Sequence, residues 1–239
     1  MKPIKPIKPS TTTVSAIIVA AGKGIRMNHS VRKQYLLIAD RPVLGHTLLV
    51  FDACELIDEV FVVISKEDFD FCQDNLIPPL KLNKKIKLVS GGTERQDSVY
   101  NGLLALSTKT DTVVIHDGVR PFVGPEELAA CITGVEETGA CILGMPAGDT
   151  LKHVGKTGRI EKTLARDTIW LAQTPQVFKY ELILKAHETA CRDGFRGTDD
   201  ALLLERLGID VKIILGSQTN IKITTPQDLA LAEAILMAS

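Results

Sequence analysis

Short apolar segments alternate with segments of helical pattern along this chain, and that alternation limits the fold more than any other feature. Ser15–Ala20 is apolar without interruption, as expected of a parallel strand buried on both faces. Further strands are predicted over Val60–Ile64, Lys85–Val89, Thr112–His116, Ala140–Met145, Thr174–Phe178 and Val211–Leu215. Helices are predicted over Pro42–Cys54, Lys66–Asn75, Thr93–Ser107, Pro125–Glu137, Glu181–Arg192, Asp199–Leu207 and Pro226–Met237. The predicted fold class is therefore α/β, with a mostly parallel sheet and helices on both faces.

The chain is predicted to form one domain with a tail and an arm. Residues 1–14 contain a repeated Lys-Pro-Ile unit, which suits a flexible tail because proline neither continues a helix nor pairs in a central strand. Residues 15–239 are assigned to the domain, and a polar segment at about 147–170 interrupts its alternation. Alternating residues around Gly155–Gly158 predict a projecting β-hairpin arm. So few apolar residues do not stabilise a hairpin alone, so we expect it to pack on a second subunit.

Composition excludes some kinds of protein. Lys and Arg number 28 against 29 Asp and Glu, so there is no basic excess to hold nucleic acid. The apolar runs have the length of a strand, far short of the roughly 20 residues of a membrane-spanning helix. The five cysteines are scattered and form no C-x-x-C pair, which favours reduced thiols. We therefore expect a cytoplasmic protein that binds neither nucleic acid nor membranes.

The loop after the first strand is rich in glycine and cations. It continues Ala20-Ala-Gly-Lys-Gly-Ile-Arg26-Met, and its cations are Lys23, Arg26, Arg32 and Lys33. Backbone amides and cations at a strand end suit a polyphosphate. A plain turn or a solvated charged surface is the alternative. The dinucleotide fingerprint G-x-G-x-x-G/A is broken at Met27, and the P-loop motif is absent.

A second glycine-containing loop follows the third predicted strand. Its sequence is Gly91-Gly-Thr-Glu-Arg95-Gln-Asp-Ser98. The glycines allow a backbone to approach a flat ligand closely, and Thr93 with Gln96 is predicted to cap the next helix. A tight turn before a helix is the alternative.

Charged residues occur at two later positions of the same predicted edge. Asp117 ends a buried strand, a usual position for a Mg²⁺ ligand, and Arg120 is able to hold a phosphate. A turn stabilised by the Asp117 side chain is the alternative. His116 is interpreted as structural. Lys222 lies in a predicted strand of alternating residues, where it points either to solvent or into the site.

These residues favour transfer at phosphorus, in which fixed cations neutralise developing negative charge. Cations and glycines converge at one sheet edge with one acidic residue. The sequence has neither a Ser-His-Asp motif nor the signature of a reactive cysteine.

The motifs resemble those of a known family. Ala20-Ala-Gly-x-Gly-x-Arg26-Met, followed by Lys33-Gln-Tyr-Leu, resembles the sugar-phosphate nucleotidyltransferases. The resemblance is narrowed to the 2-C-methyl-D-erythritol 4-phosphate cytidylyltransferases by Gly91-Gly-x-Glu-Arg95-x-Asp-Ser98-Val, His116-Asp-x-x-Arg120-Pro, Asp149-Thr150, Thr174-Pro-Gln, Thr198-Asp and Asn220-Ile-Lys222-x-Thr-x-Pro-x-Asp228. It extends from about Ser15 to Met237. It implies a Rossmann-like nucleotidyltransferase fold, a homodimer built through the arm, and dependence on Mg²⁺ or another divalent cation.

The implied reaction joins CTP and methylerythritol phosphate to give diphosphocytidyl-methylerythritol and pyrophosphate, a step of the non-mevalonate route to isoprenoids. By the resemblance, the catalytic cations are Arg26 and Lys33. The residues that match the nucleotide pocket are Ala20, Ala21, Gly22, Gly91, Gly92, Ser98 and Asp117, the last also as the metal ligand. The residues that match the acceptor site are Arg120, Thr150, Arg166, Thr174, Thr198 and Lys222, with Thr150 and Arg166 supplied by the partner's arm.

The sequence departs from the family's pattern in the first loop, and alternatives to the cytidylyltransferase function stay open. Arg32 stands before Lys33 where the family often has proline, so the two interpretations are a more flexible loop and an extra phosphate contact. The nearest alternative is a ribitol 5-phosphate cytidylyltransferase, which would differ in the acceptor pocket. A nicotinamide-dependent oxidoreductase and a nucleotide-binding module without turnover are alternatives from other classes.

Overall fold

The computed structural model describes residues 12–22 and 31–238. The predicted tail falls mostly outside these residues, but its last part belongs to the domain. Thr13 N–H donates to Asp111 Oδ2 at 2.7 Å, and Val14 is already the first residue of a strand. Among the described residues, the first strand therefore begins one residue before the predicted boundary at Ser15.

The strands lie in the predicted order, with two short additions. In chain order they are β1 Val14–Val19, β2 Leu37–Ile38, β3 Arg41–Pro42, β4 Glu59–Ile64, β5 Ile86–Ser90, β6 Thr112–Asp117, β7 Ala140–Pro146, β8 Lys152–Val154, β9 Ile160–Thr163, β10 Trp170–Lys179 and β11 Lys212–Leu215. The short β2–β3 hairpin was not predicted. Two residues in each strand leave too little pattern to detect.

The helices also follow the prediction closely. They are α1 Val43–Ala53, α2 Phe69–Phe71, α3 Arg95–Leu104, α4 Pro125–Thr138, α5 Tyr180–Arg192, α6 Ala201–Glu205 and α7 Pro226–Ala238. Short 3₁₀ helices span Lys33–Tyr35, Lys66–Asp68, Pro78–Leu80 and Arg166–Thr168, and a π-helical turn spans Cys72–Leu76. The helix predicted over Lys66–Asn75 is thus a succession of 3₁₀, α and π turns. Of the helices in the described ranges, none combines the length and apolar character needed to cross a membrane.

The central sheet has seven strands in the order β11-β7-β10-β6-β1-β4-β5. β1 pairs in parallel with both β4 and β6, and β5 and β11 add parallel edges. β10 alone runs antiparallel, between β6 and β7. Its pairing with β7 is irregular between Ala172 and Gln176, so the segment around Thr174 leaves the regular ladder at the edge where β6 ends.

Helices cover both faces of this sheet because the buried strands are apolar on both sides. Ala16 and Ile18 of β1 pack in one cluster with apolar residues of α1 and α4. Ile17 packs in the other with residues of α3 and α5. The predicted α/β fold with a mostly parallel sheet is confirmed.

Two local predictions are wrong. The cap of α3 is Glu94, with Asp97 as its reciprocal partner, rather than Thr93 with Gln96. The Gln96 side chain instead contacts Phe195 and Gly197. The segment around Lys222 was predicted as a strand, but it forms and pairs with no strand in the described part of the chain. Ile223 anchors it, because its N–H donates to Val119 O at 2.9 Å and its side chain is buried.

The polar segment forms the predicted hairpin. β8 and β9 pair antiparallel, with Lys152 opposite Thr163, and the side chains of both strands are exposed. The fold therefore presents one hairpin whose sides are not covered by the rest of the described chain.

Candidate active site

The predicted site residues gather where β1, β5 and β6 end. Two adjoining clefts share Arg95, Asp117 and Lys222 in their walls. The first is also lined by Ala20, Gly22, Lys33 and Gln34. The second is also lined by Arg120, Thr174, Gln176 and Thr198.

Asp117 is the buried centre of a cluster of cations. Its Oδ1 accepts from Arg95 Nε at 3.0 Å, and its Oδ2 lies 2.7 Å from Lys222 Nζ. Arg120 Nε lies 3.6 Å from the same Oδ2. Burial by itself would raise the pKa of Asp117, but the neighbouring Arg95, Lys222 and Arg120 charges hold it well below its usual range. Asp117 is therefore ionised at neutral pH.

A second buried carboxylate holds Arg95 from its other side. Arg95 Nη1 donates to Asp200 Oδ2 at 2.8 Å, and Asp200 Oδ1 lies 3.1 Å from His187 Nε2. Asp200 is ionised as well, because Arg95 and His187 lower its pKa against the effect of burial. Arg95 thus lies between two carboxylates. Over both clefts, the described charged residues are four cations against three carboxylates, namely Lys33, Arg95, Arg120 and Lys222 against Asp117, Asp199 and Asp200. The surplus positive charge suits an anionic substrate.

Sequence reasoning did not place Asp200 or His187 in the site. Asp200 follows Thr198-Asp199 at the start of the short α6, where an acidic residue suggests only a helix cap. Gln176 of β10 holds Asp200 beside Arg95, because its Oε1 accepts from the N–H groups of Asp200 and Ala201 at 3.1 and 3.2 Å. The motif quoted for the family, Thr198-Asp, ends at Asp199, so no sequence signal pointed to Asp200 or His187.

A hydrogen-bond network fixes the backbone around Asp117. Thr174 Oγ1 accepts from Asp117 N–H at 3.1 Å and donates to His116 Nδ1 at 3.0 Å. His116 Nε2–H then donates to Arg120 O at 3.0 Å. Complete burial lowers the pKa of His116 to about 4, so the ring is neutral near pH 7. The structural interpretation of His116 is confirmed, and Thr174 uses its hydroxyl on the protein while lining the second cleft.

The two glycine-containing loops touch each other where Gly91 meets Ala21, so the second loop needs a glycine at that point. A Cβ on Gly91 would overlap the Cβ of Ala21, and a Cβ on Gly92 would overlap that of Asp97. Ser98 Oγ accepts from Gly92 N–H and donates to Glu94 O, both at 3.0 Å. The predicted nucleotide-pocket residues of the two loops are therefore adjacent.

Lys33 borders the first cleft. Its neighbour Gln34 is buried and donates to Ala20 O at 2.7 Å and to Gly22 O at 3.3 Å, which joins the 3₁₀ helix to the end of β1. Arg26, the other predicted catalytic cation, lies outside the described residues, as does Lys23.

The arm residues are not brought to this cluster within one chain. Thr150 is exposed, and Arg166 Nη1 donates to Gly148 O at 2.7 Å within the arm. Among the described residues, neither borders a cleft that contains Asp117.

The predicted metal role of Asp117 meets an electrostatic difficulty. Both carboxylate oxygens face Arg or Lys nitrogens, so a cation bound there would stand among three positive charges. Within residues 12–22 and 31–238, no group of three or more His, Cys, Asp or Glu side chains is arranged to hold a metal ion. These residues do not fit a resident metal, and the metal role of Asp117 stays a prediction.

Comparison with known proteins agrees with this geometry. The family model described as 2-C-methyl-D-erythritol 4-phosphate cytidylyltransferase matches residues 14–238. Among curated relatives of that name, the one from Syntrophus aciditrophicus is 52% identical over 93% of this chain and 95% of its own length. The one from Caldanaerobacter subterraneus subsp. tengcongensis is 47% identical, covering 93% of this chain and 98% of the relative.

Solved structures give the same result. The 4-diphosphocytidyl-2C-methyl-D-erythritol synthase of Anaerococcus prevotii superposes with a TM-score of 0.84 at 35% identity, over 95% of this chain and 97% of that one. The 2-C-methyl-D-erythritol 4-phosphate cytidylyltransferase of Thermus thermophilus superposes with a TM-score of 0.77 at 33% identity, over 95% of this chain and 100% of that one. Sequence, fold and site together show that this chain belongs to the 2-C-methyl-D-erythritol 4-phosphate cytidylyltransferase family.

Proposed function

We propose that the protein transfers the cytidylyl group of CTP to 2-C-methyl-D-erythritol 4-phosphate. A phosphate oxygen of the acceptor attacks the α-phosphorus of CTP. The bond from that phosphorus to the oxygen bridging the α- and β-phosphates breaks, and pyrophosphate leaves with the electron pair. The products are pyrophosphate and 4-diphosphocytidyl-2-C-methyl-D-erythritol, and the step belongs to the non-mevalonate route to isoprenoids. The family assignment carries the class of enzyme, a cytidylyltransferase.

The observation that carries the chemistry is the surplus of positive charge shared by the two clefts. Both substrates are phosphates, and their approach is opposed by mutual repulsion unless fixed cations stand between them. Arg95, Arg120 and Lys222 are held around Asp117 before any substrate enters. Cations held in advance need no rearrangement when charge develops on the reacting phosphate.

We assign the first cleft to the nucleotide and the second to the acceptor. Support for the nucleotide assignment comes from Ala20, Gly22 and Lys33 in the wall of that cleft, and from the second loop, which packs on the first at Gly91. Support for the acceptor assignment comes from Arg120, Thr198 and Lys222 beside the shared Asp117. On this assignment Lys33, with Arg26, stabilises the charge that develops on the α-phosphate.

Pyrophosphate release with each acceptor tests this function. Release is expected with CTP and methylerythritol 4-phosphate, and not with ribitol 5-phosphate. Every relative and structure described above bears a name that refers to methylerythritol, so nothing in the comparisons favours ribitol. Release with ribitol 5-phosphate alone would contradict the acceptor while keeping the CTP site. CTP binding without release from either would leave the nucleotide-binding module without turnover.

We propose that Mg²⁺, or another divalent cation, enters with the CTP triphosphate and is not resident in the protein. Mg²⁺ is commonly held by one or two carboxylates together with substrate phosphates, and the carboxylate of Asp117 is already surrounded by cations. Chelation is expected to abolish pyrophosphate release, and added Mg²⁺ to restore it. Equilibrium dialysis without CTP should show no stoichiometric Mg²⁺. Tight binding by the free protein would contradict this proposal.

We propose further that the protein is a homodimer whose arm completes the partner's acceptor site. Support comes from the exposed apolar side chains on and beside the hairpin, which a second subunit would cover. They are Val154, Ile160, Trp170 and Leu171. A cytoplasmic location stays a prediction of the sequence.

Arg166→Ala is expected to raise the KM for the acceptor about tenfold or more and to change the KM for CTP little, because removing a charged contact costs about 1.5–3 kcal/mol. Steady-state kinetics measures both. Equal effects on the two KM values would contradict the assigned role. Lys152→Ala, whose Nζ contacts Thr163 within the hairpin, is the matched control on the arm.

Mixing two defective variants tests directly whether the arm of one subunit completes the site of its partner. Lys33→Ala removes a residue of a subunit's own site, whereas Arg166→Ala removes one supplied to the partner. Random exchange between them should regenerate about a quarter of wild-type sites, because half of the dimers are mixed and each has one intact site. No recovery in a dimer shown to exchange would overturn the cross-subunit proposal.

A further inference from the structure

Both chain neighbours of Lys33 are tied to other elements. Gln34 holds the end of β1, as described above. On the other side, Arg32 Nη1 donates to Asp68 Oδ2 at 2.6 Å, and Arg32 Nη2 lies 3.4 Å from Glu67 Oε2. Tyr35 Oη donates to the same Asp68 Oδ2 at 2.9 Å. One carboxylate therefore binds the residues on either side of the Lys33-Gln34 pair.

Asp68 is itself fixed in space. It ends the 3₁₀ helix Lys66–Asp68 that follows β4, and its N–H donates to Ser65 O at 3.0 Å. Tyr35 is held by its ring, which meets Phe71 edge to face with centroids 5.1 Å apart. Burial raises the pKa of the Tyr35 hydroxyl, so the hydroxyl remains a donor at neutral pH. Through Asp68, the segment after β4 therefore holds the segment that carries Lys33 in place.

The backbone conformation of Arg32 is the feature that this ion pair restrains. Arg32 has φ −64° and ψ 139° immediately before the 3₁₀ helix. That φ is the value to which a proline ring restricts its residue. An arginine has no such ring and is free to adopt other values, so a contact of its side chain is able to restrict its backbone. The ion pair with Asp68 supplies that contact, since the Arg32 guanidinium is committed to the carboxylates of Glu67 and Asp68.

We propose that the Arg32–Asp68 ion pair is a positioning device for Lys33. It holds the backbone before Lys33 in one conformation and so places the Lys33 ammonium at the wall of the nucleotide cleft. Asp68 and Arg32 are positioning residues and do not touch the substrate. The proposal rests on the function assigned to Lys33 and replaces the alternative that Arg32 binds phosphate itself.

Kinetics of Arg32→Ala, Asp68→Asn and the double variant test the proposal. Each single change is expected to lower kcat by about 10- to 100-fold, because a small displacement of a catalytic group costs that much, with the KM for CTP changed by less than about twofold. The double variant should be no worse than the poorer single variant, since both remove one interaction. Arg32→Pro is expected to restore kcat to near the wild-type value, because the ring imposes the same φ.

Asp193→Asn is the matched control. Asp193 also binds an arginine, with Arg206 Nη2 at 2.9 Å from its Oδ2, but it lies at the end of α5. The kcat of the Asp193→Asn variant should equal that of the wild type. If Asp68→Asn acted only by a general loss of stability, its thermal midpoint would fall. Adding Arg32→Pro to Asp68→Asn would then not restore kcat, whereas the positioning role predicts that it does.

A contrary pattern would overturn the proposal. If Arg32→Ala raises the KM for CTP while Asp68→Asn leaves kcat unchanged, Arg32 contacts the triphosphate directly. Chemical labelling of Lys33, followed by mass spectrometry, gives a readout that does not need turnover. Asp68→Asn should change the labelling rate of Lys33 and not that of Lys109. An unchanged rate overturns the positioning role, whereas failure of the wild type to release pyrophosphate overturns only the proposed function.

Discussion

Lys33→Ala is expected to lower kcat for pyrophosphate release by about 10²- to 10³-fold, the usual effect of removing one group that stabilises transition-state charge. The fold should persist, because the anchors of this segment are the side chains of Arg32, Gln34 and Tyr35. The KM for the acceptor should change much less than kcat, because the assigned interaction strengthens in the transition state.

Steady-state kinetics with saturating CTP and Mg²⁺ measures this effect, and circular dichroism checks the fold. Lys109→Ala is the matched control, since Lys109 is an exposed lysine in the turn before β6. That turn lies at the opposite end of β6 from Asp117. Near-normal kcat in Lys33→Ala would remove this lysine from the mechanism.

Asp200→Asn is expected to lower the free energy of unfolding by about 3–5 kcal/mol at pH 7, as breaking a buried ion pair does. Asp200 is buried and bound on one side by Arg95 and on the other by His187. The neutral amide keeps the shape but leaves Arg95 with Asp117 as its only described carboxylate partner. Urea denaturation at pH 7 measures the difference.

The pH dependence supplies the check. Because the folded pKa of Asp200 is depressed, its ionisation stabilises the fold fully above the unfolded pKa of about 4. That contribution is lost as the pH falls from there toward the folded pKa. The difference in stability between wild type and Asp200→Asn should therefore shrink below about pH 4. A difference independent of pH would show that the substitution acts through packing and not through charge.

The sequence was sufficient for the architecture because the strands carry their own signal. Ser15–Ala20 is apolar on both faces, and only a strand between two helix layers buries both. Helix boundaries such as Val43–Ala53 and Pro125–Thr138 agree with the predictions to within one residue, because proline stands at or just before the first turn of each. The single helix predicted over Lys66–Asn75 is instead a run of irregular turns over residues 66–76, because composition does not separate 3₁₀ and π turns from α.

The sequence by itself determined which residues end the strands, and with them the edge where Ala20, Gly91 and Asp117 meet. It did not determine what those residues contact. Lys222 and Asp200 lie 105 and 83 residues after Asp117 in the chain. Only the tertiary structure brings Lys222 to the carboxylate of Asp117 and Asp200 to the guanidinium of Arg95. The same holds for Arg32 and Asp68, 36 residues apart. Strand and helix patterns are local, because they follow from periodic burial of neighbouring residues. Ion pairs between distant segments have no such period, so they are decided only when the sheet has placed its loops side by side.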